Sequence, residues 1–185
     1  MATQGNAAVR TWIALFRGIN VGGNHILPMA ALREDLEALD LQEVRTYIQS
    51  GNVVFETAEA METVGPGIEQ RIQERHGFRP AVMMLSRGQL RAIDAANPFP
   101  ETVGQPKTLH FQFLAAPAST ADLEGMAQWK AENERFHLTD RALYFHAPDG
   151  IGRSKLAARM EKLLGVPATG RNYRTVAKLL AMSDA

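Results

Sequence analysis

The same order of hydrophobic periodicities occurs twice in succession along this chain, and that repetition limits the folds open to it more than any single motif. In the first half, residues 11–17 form a short apolar run bounded by polar and glycine-rich sequence and read as a buried strand. Residues 18–24 are its loop. Pro28 opens a helix where a missing N–H costs little, and Met29, Leu32, Leu36 and Leu39 follow at helical spacing. Residues 44–57 predict a hairpin: Thr46, Ile48, Val53 and Phe55 alternate with Arg45, Tyr47, Gln49, Asn52 and Glu56. A loop of Ser50-Gly51 or of Gly51-Asn52 leaves these two faces the same. A helix at 66–76, carried by Ile68 and Ile72 and stopped by Gly77, leads to a strand at 81–85. Ser86 and Gln89 then make a capping box for a further helix.

The second half repeats the order. Residues 107–115 read as a strand with Leu109, Phe111 and Phe113 on one face, and Ser119 and Asp122 cap a helix holding Leu123 and Met126. A second hairpin turns about Asp140-Arg141, with Phe136, Leu138, Leu143 and Phe145 on one side and Arg135, His137, Tyr144 and His146 on the other. A helix at 154–164 and a last helix at 172–182 follow, with a weak closing strand at 166–168 or none. The β-α-β-β-α order in both halves predicts an α+β protein built as a tandem duplication of two ferredoxin-like, split-βαβ subdomains. The expected division is a flexible tail over residues 1–10, a first subdomain over 11–104 and a second over 105–185, with the Pro- and Gly-bearing stretch 97–106 between them.

Composition narrows the chemistry. The 185 residues include no cysteine, which removes disulfides, thiolate metal sites and a cysteine nucleophile and makes the cytoplasm the expected compartment. No apolar run reaches the roughly 18 residues of a membrane helix, so no membrane partner is expected. Lys and Arg balance Asp and Glu at 20 each, yet the charge is unevenly placed. Residues 153–178 carry seven basic side chains against Glu161 alone, whereas residues 1–152 carry 13 basic and 18 acidic.

Several segments together carry a resemblance. Arg17-Gly18-Ile19-Asn20-Val21-Gly22-Gly23, Leu27-Pro28-Met29 and Tyr47-Ile48-Gln49-Ser50-Gly51-Asn52-Val53-Val54-Phe55 come first. Asn97-Pro98-Phe99, the run from Pro148 to Leu156, and Thr169-Gly170-Arg171-Asn172-Tyr173 follow. With these the chain resembles, over nearly its whole length, the bacterial family numbered 1697 among the domains of unknown function. The resemblance implies a duplicated α+β fold and brings no activity, cofactor or catalytic residue with it. The chain differs from the usual members in having Asn24-His25-Ile26 where a lysine is common, and in Gly170 between Thr169 and Arg171.

Three segments stand out as anchors for an anion. The glycine-rich loop after the first strand, with Arg17, Asn20, Gly22 and Gly23, can turn backbone N–H groups toward one charge, although it has neither Walker nor dinucleotide spacing. Arg153, Ser154 and Lys155 place cations at an expected helix start, where the helix dipole disfavours them unless an anion is bound. Arg171 and Asn172 precede the last helix. With Gln49, Ser50 and Asn52 as polar neighbours, these residues make the expected ligand-binding set, and the plainer reading of each is turn or cap chemistry. The histidines lack metal-ligand spacing, so no metal is expected; His110 is placed with His137 and His146 on one sheet face. The functional expectation is non-catalytic binding of a phosphate-bearing ligand, a nucleotide or nucleic acid among the candidates. An enzyme acting on a phosphorylated small molecule and a self-associating module forming a homo-oligomer are the alternatives.

Overall fold

The computed structural model describes residues 8–185, so the expected tail lies outside the described residues as far as Ala7, and Arg10 already opens the first strand. The chain is α+β, with two four-stranded antiparallel sheets and six α-helices among the described residues. In order, β1 (Arg10–Arg17), α1 (Met29–Glu37), β2 (Gln42–Tyr47), β3 (Asn52–Thr57), α2 (Met61–His76), β4 (Ala81–Ser86) and α3 (Arg87–Ala95) come first. Then follow β5 (Leu109–Leu114), α4 (Leu123–Trp129), β6 (Arg135–Leu138), β7 (Ala142–His146), α5 (Met160–Leu164), β8 (Ala168–Asn172) and α6 (Tyr173–Ser183). The sheets repeat one strand order, β2-β3-β1-β4 and β6-β7-β5-β8. The chain divides into two compact units, the first reaching Leu90 and including Leu179–Ala185, the second Arg91–Lys178, so both dividing points fall inside helices, α3 and α6.

In the first unit the helix-facing side of the sheet presents Ala14, Phe16, Val53 and Phe55, which pack with Leu32 and Leu36 of α1 and Val64, Ile68 and Ile72 of α2. The hairpin pairs Thr46 with Val53 and Tyr47 with Asn52, so its faces are as expected, but residues 48–51 form a four-residue loop. Ile48 is therefore not a strand residue. It sits in the loop at φ +48° and is 51% exposed. Helix α2 starts at Met61, five residues before the expected start, and holds Pro66 inside it. Burial of Val64, Ile68 and Ile72 along one face outweighs the backbone bond that Pro66 cannot make. The capping box at α3 is present in full: Gln89 N–H donates to Ser86 Oγ at 3.1 Å and Ser86 N–H to Gln89 Oε1 at 2.8 Å.

The two helices of this unit are tied by a feature that periodicity does not announce. Asp35 of α1 is fully buried and its carboxylate accepts from Arg71 Nε at 3.2 Å and His76 Nε2 at 2.7 Å, with Arg75 Nη1 3.2 Å away. All three partners stand on α2.

In the second unit, Leu143 and Phe145 pack with Met126, Leu156, Met160 and Leu164. The hairpin pairs Phe136 with Phe145 and His137 with Tyr144, and Thr139 N–H donates to Ala142 O at 2.9 Å across Asp140-Arg141, as expected. Three expectations change. The closing strand is β8, Ala168–Asn172, paired along β5, rather than a weak strand at 166–168. The helix expected at 154–164 is broken: 3-10 turns occupy Ile151–Arg153 and Ala157–Arg159, and only Met160–Leu164 is α-helical. His110 pairs with Phe145, which puts it on the helix-facing side, away from His137 and His146.

Candidate functional site

The first-unit members of the expected set gather at one end of their sheet. Arg17 ends β1, and the loop beyond it folds back on itself, with Val21 and Asn24 bridged across Gly22 and Gly23, both at positive φ. Asn20, itself at φ +55°, uses its amide to close the loop's base. Its Nδ2 donates to Leu27 O at 2.9 Å and Gln49 O at 2.8 Å, and its Oδ1 accepts from Leu27 N–H at 2.8 Å. Asn52 does the same for the hairpin loop, donating to Tyr47 O at 3.0 Å and Ser50 Oγ at 2.9 Å. Gly51 fits beneath: Phe16 N–H donates to its carbonyl at 2.8 Å, and a Cβ there would lie 2.5 Å from Phe16 Cβ. Both asparagine amides are thus engaged in holding backbone. This end exposes Val21, Ile26 and Ile48 alongside the polar Asn24, His25 and Gln49. His25, at φ +49°, stacks on Phe78 with centroids 4.6 Å apart, and its Nδ1 lies 3.1 Å from Gly18 O.

In the second unit the expected residues separate into two groups. Arg171 and Asn172 lie on β8. Arg171 is buried, its Nη1 donates to Gly170 O at 2.8 Å, and loss of solvent pulls its pKa down to about 10. Asn172 caps α6, its Oδ1 accepting from Thr175 N–H at 3.0 Å and Thr175 Oγ1 at 3.1 Å.

Arg153, Ser154 and Lys155 line a cleft of about 350 Å³ together with Gln128, Trp129, Lys130, Ala131 and Glu134. The break in the expected helix creates it. Ser154, just after the first 3-10 turn, is buried and its Oγ accepts from Ala157 N–H at 3.0 Å, the bond of an N-cap on the turn that follows; Arg153 and Lys155 are exposed on either side. Lys130 follows the end of α4 and adds a third cation. The one carboxylate in the lining, Glu134, is buried and its Oε2 accepts from Ala131 N–H at 2.8 Å. Trp129 is 40% exposed, and the guanidinium of Arg159 lies 3.7 Å from its ring centroid while Nη1 of the same group donates to Lys155 O at 3.1 Å. Lys130 and Trp129 carried no sequence signal for a site; they stand at the end of an ordinary helix and meet residues 153–155 only in three dimensions.

The histidines stand elsewhere. Burial lowers the pKa of His110, and its Nε2 has no hydrogen-bond partner; His146 is lowered by desolvation and by Arg135, whose Nη2 is 3.3 Å from its Nδ1. Among the described residues no group of His, Asp or Glu is placed to hold a metal ion, and no helix is long and apolar enough to cross a membrane.

Against known structures, the chain is similar to a conserved bacterial protein from Streptococcus pneumoniae, SP0830, with a TM-score of 0.72 and 24% identity, covering 95% of this chain and 99% of that one. At that identity the likeness speaks for the fold. No curated protein matches the sequence. A family model, in contrast, matches residues 9–144, and through it the chain belongs to the family described as protein of unknown function, DUF1697.

Proposed function

We propose that this chain is a non-catalytic binding protein for an anionic, phosphate-bearing ligand, and that the ligand sits in the cleft of the second unit. The observation that carries the reading is the meeting of Lys130, Arg153 and Lys155 in one concave lining whose single carboxylate is turned onto a backbone N–H. Its volume is at the small end of ligand pockets, about 300–1,000 Å³. None of the five histidines is in that lining, and the set holds charge better than it moves protons. The scaffold we read as two ferredoxin-like units in tandem, because each sheet has the order in which the third strand of a unit lies between its first and second, all antiparallel.

The test is calorimetric titration of the intact protein with inorganic phosphate, pyrophosphate and a sugar phosphate. Arg153→Ala and Lys155→Ala each lower affinity by about tenfold to a hundredfold, the value of a hydrogen bond to a charged group. Asn20→Ala leaves affinity unchanged. Absence of binding by every phosphate compound at millimolar concentration refutes the reading. Turnover of a phosphorylated compound moves it to the enzyme class instead.

A further inference from the structure

We infer that the ligand of this cleft is a nucleotide, with its base on the ring of Trp129 and its phosphates among Lys130, Arg153 and Lys155; the inference rests on the phosphate reading above. Arg159 covers Trp129 at 3.7 Å but does not line the cleft, whereas Trp129 does. Trp129 thus lines the cleft with 40% of the residue open to solvent, while the guanidinium over its ring comes from a residue outside the lining. An aromatic ring held from one side by a guanidinium is a platform set for a second planar group on the other. Arg159 is itself fixed, through its hydrogen bond to Lys155 O, to the backbone of a residue that supplies one of the cations. Base platform and phosphate contacts are thus parts of one local construction.

The chemistry of the lining suits the two ends of such a ligand. Purine and pyrimidine rings stack on indole without sequence preference. Gln128, beside Trp129 and exposed, offers an amide to a base edge, and Ser154 retains a hydroxyl proton to donate beside the two cations. Three cations against one engaged carboxylate match a mono- or diphosphate better than a neutral nucleoside. A cleft of about 350 Å³ accommodates a single nucleotide rather than a run of them.

The experiment titrates the intact protein with AMP, ribose 5-phosphate, pyrophosphate and a dT10 oligonucleotide, read by calorimetry and by tryptophan fluorescence. AMP, which differs from ribose 5-phosphate by its base, is expected to bind at least about fivefold tighter and to quench fluorescence, since base–aromatic stacking supplies that much or more. Trp129→Ala removes the preference but keeps ribose 5-phosphate binding. Trp129→Phe keeps the preference and loses the quench, which separates stacking from a folding defect. Lys155→Ala weakens all the phosphate compounds together. Equal affinity for AMP and ribose 5-phosphate, with Trp129→Ala silent, overturns the nucleotide inference and leaves the phosphate reading standing. Tighter binding of the oligonucleotide than of AMP overturns it in favour of a polymer. No binding by pyrophosphate or AMP removes both.

Discussion

Replacing Gly51 by alanine tests how the two loops of the first unit are built. The residue is at φ +72°, where an L side chain costs roughly 1–2 kcal/mol. The new methyl also has nowhere to go: it would lie 2.5 Å from Phe16 Cβ, 2.6 Å from Ile19 Cδ1 and 3.1 Å from Ile19 Cγ1, and both neighbours are almost fully buried at 1% exposure. Phe16 Cβ is next to backbone and cannot swing away, so the strand or the loop must shift, at a cost of about 1–3 kcal/mol typical of overpacking. Together the two effects destabilise the first unit by about 2–5 kcal/mol. Gly22 is the control, because its φ is +60° while a Cβ there meets nothing within 4 Å, so Gly22→Ala bears only the conformational cost. The chain's two tryptophans allow a clean assay. In a Trp129→Phe background, fluorescence reports Trp12, buried in the first unit, and urea unfolding followed at that signal gives the midpoint for each variant. Equal midpoints for Gly51→Ala and Gly22→Ala would refute the steric argument.

Three further outcomes follow from features outside the loops. Asp35→Asn destabilises by about 2–3 kcal/mol, less than for an ion pair buried on both sides, because Arg71 and Arg75 are part-exposed and hydrate once released. Arg71→Met with Arg75→Met leaves the buried carboxylate with His76 as its one remaining partner among these three and costs more, so the reverse order in urea midpoints contradicts the account. His110 and His146 both have folded pKa values below the ordinary 6.5, so the unfolded chain takes up protons first. Their contribution is complete above pH 6.5 and is lost as pH falls through the folded values; His110→Gln makes the acid limb of thermal stability between pH 7.5 and 5 shallower, and an unchanged limb counts against it. Asn20→Ala, which deletes three hydrogen bonds to backbone, costs about 2–3 kcal/mol and speeds proteolysis within residues 18–27, read by mass spectrometry of the fragments.

Elements with a regular period were legible in the sequence, and those set by contact were not. The hairpin faces around Val53 and Phe145, the Ser86–Gln89 box and the glycine stops at Gly77 and Gly165 are local rules, and each is in place. The helix expected from residue 154 is α-helical only from Met160: Leu156, Met160 and Leu163 fit a helical period equally well in 3-10 and α turns, and Ser154 supplies an N-cap bond to Ala157 whichever of the two follows. Strand β8 was missed because Thr169-Gly170-Arg171-Asn172 has no apolar alternation; its pairing with β5 defines it. Of the site, sequence singled out Arg153, Ser154 and Lys155 through the clash of cations with a helix start. Their partners Lys130 and Trp129 are far off in the chain, and proximity of that kind leaves no mark on composition or period.

The closure of the first loop by Asn20 bears on what can be built into this chain. A side chain normally inherits its position from the backbone, but here one amide, through Leu27 and Gln49, sets the distance between the two feet of a loop. Within the segment between the feet His25 is held by its stack on Phe78, whereas the apex, Gly22-Gly23, touches no neighbour that an added Cβ would meet. Loop closure entropy rises only slowly with length, about 0.6 kcal/mol per doubling. An epitope or a fluorophore-labelling peptide inserted between Gly22 and Gly23 therefore has a preformed stem to stand on, and the protein becomes a display scaffold whose graft is clamped at its base by the Asn20 amide and by the backbone bond from Asn20 N–H to His25 O.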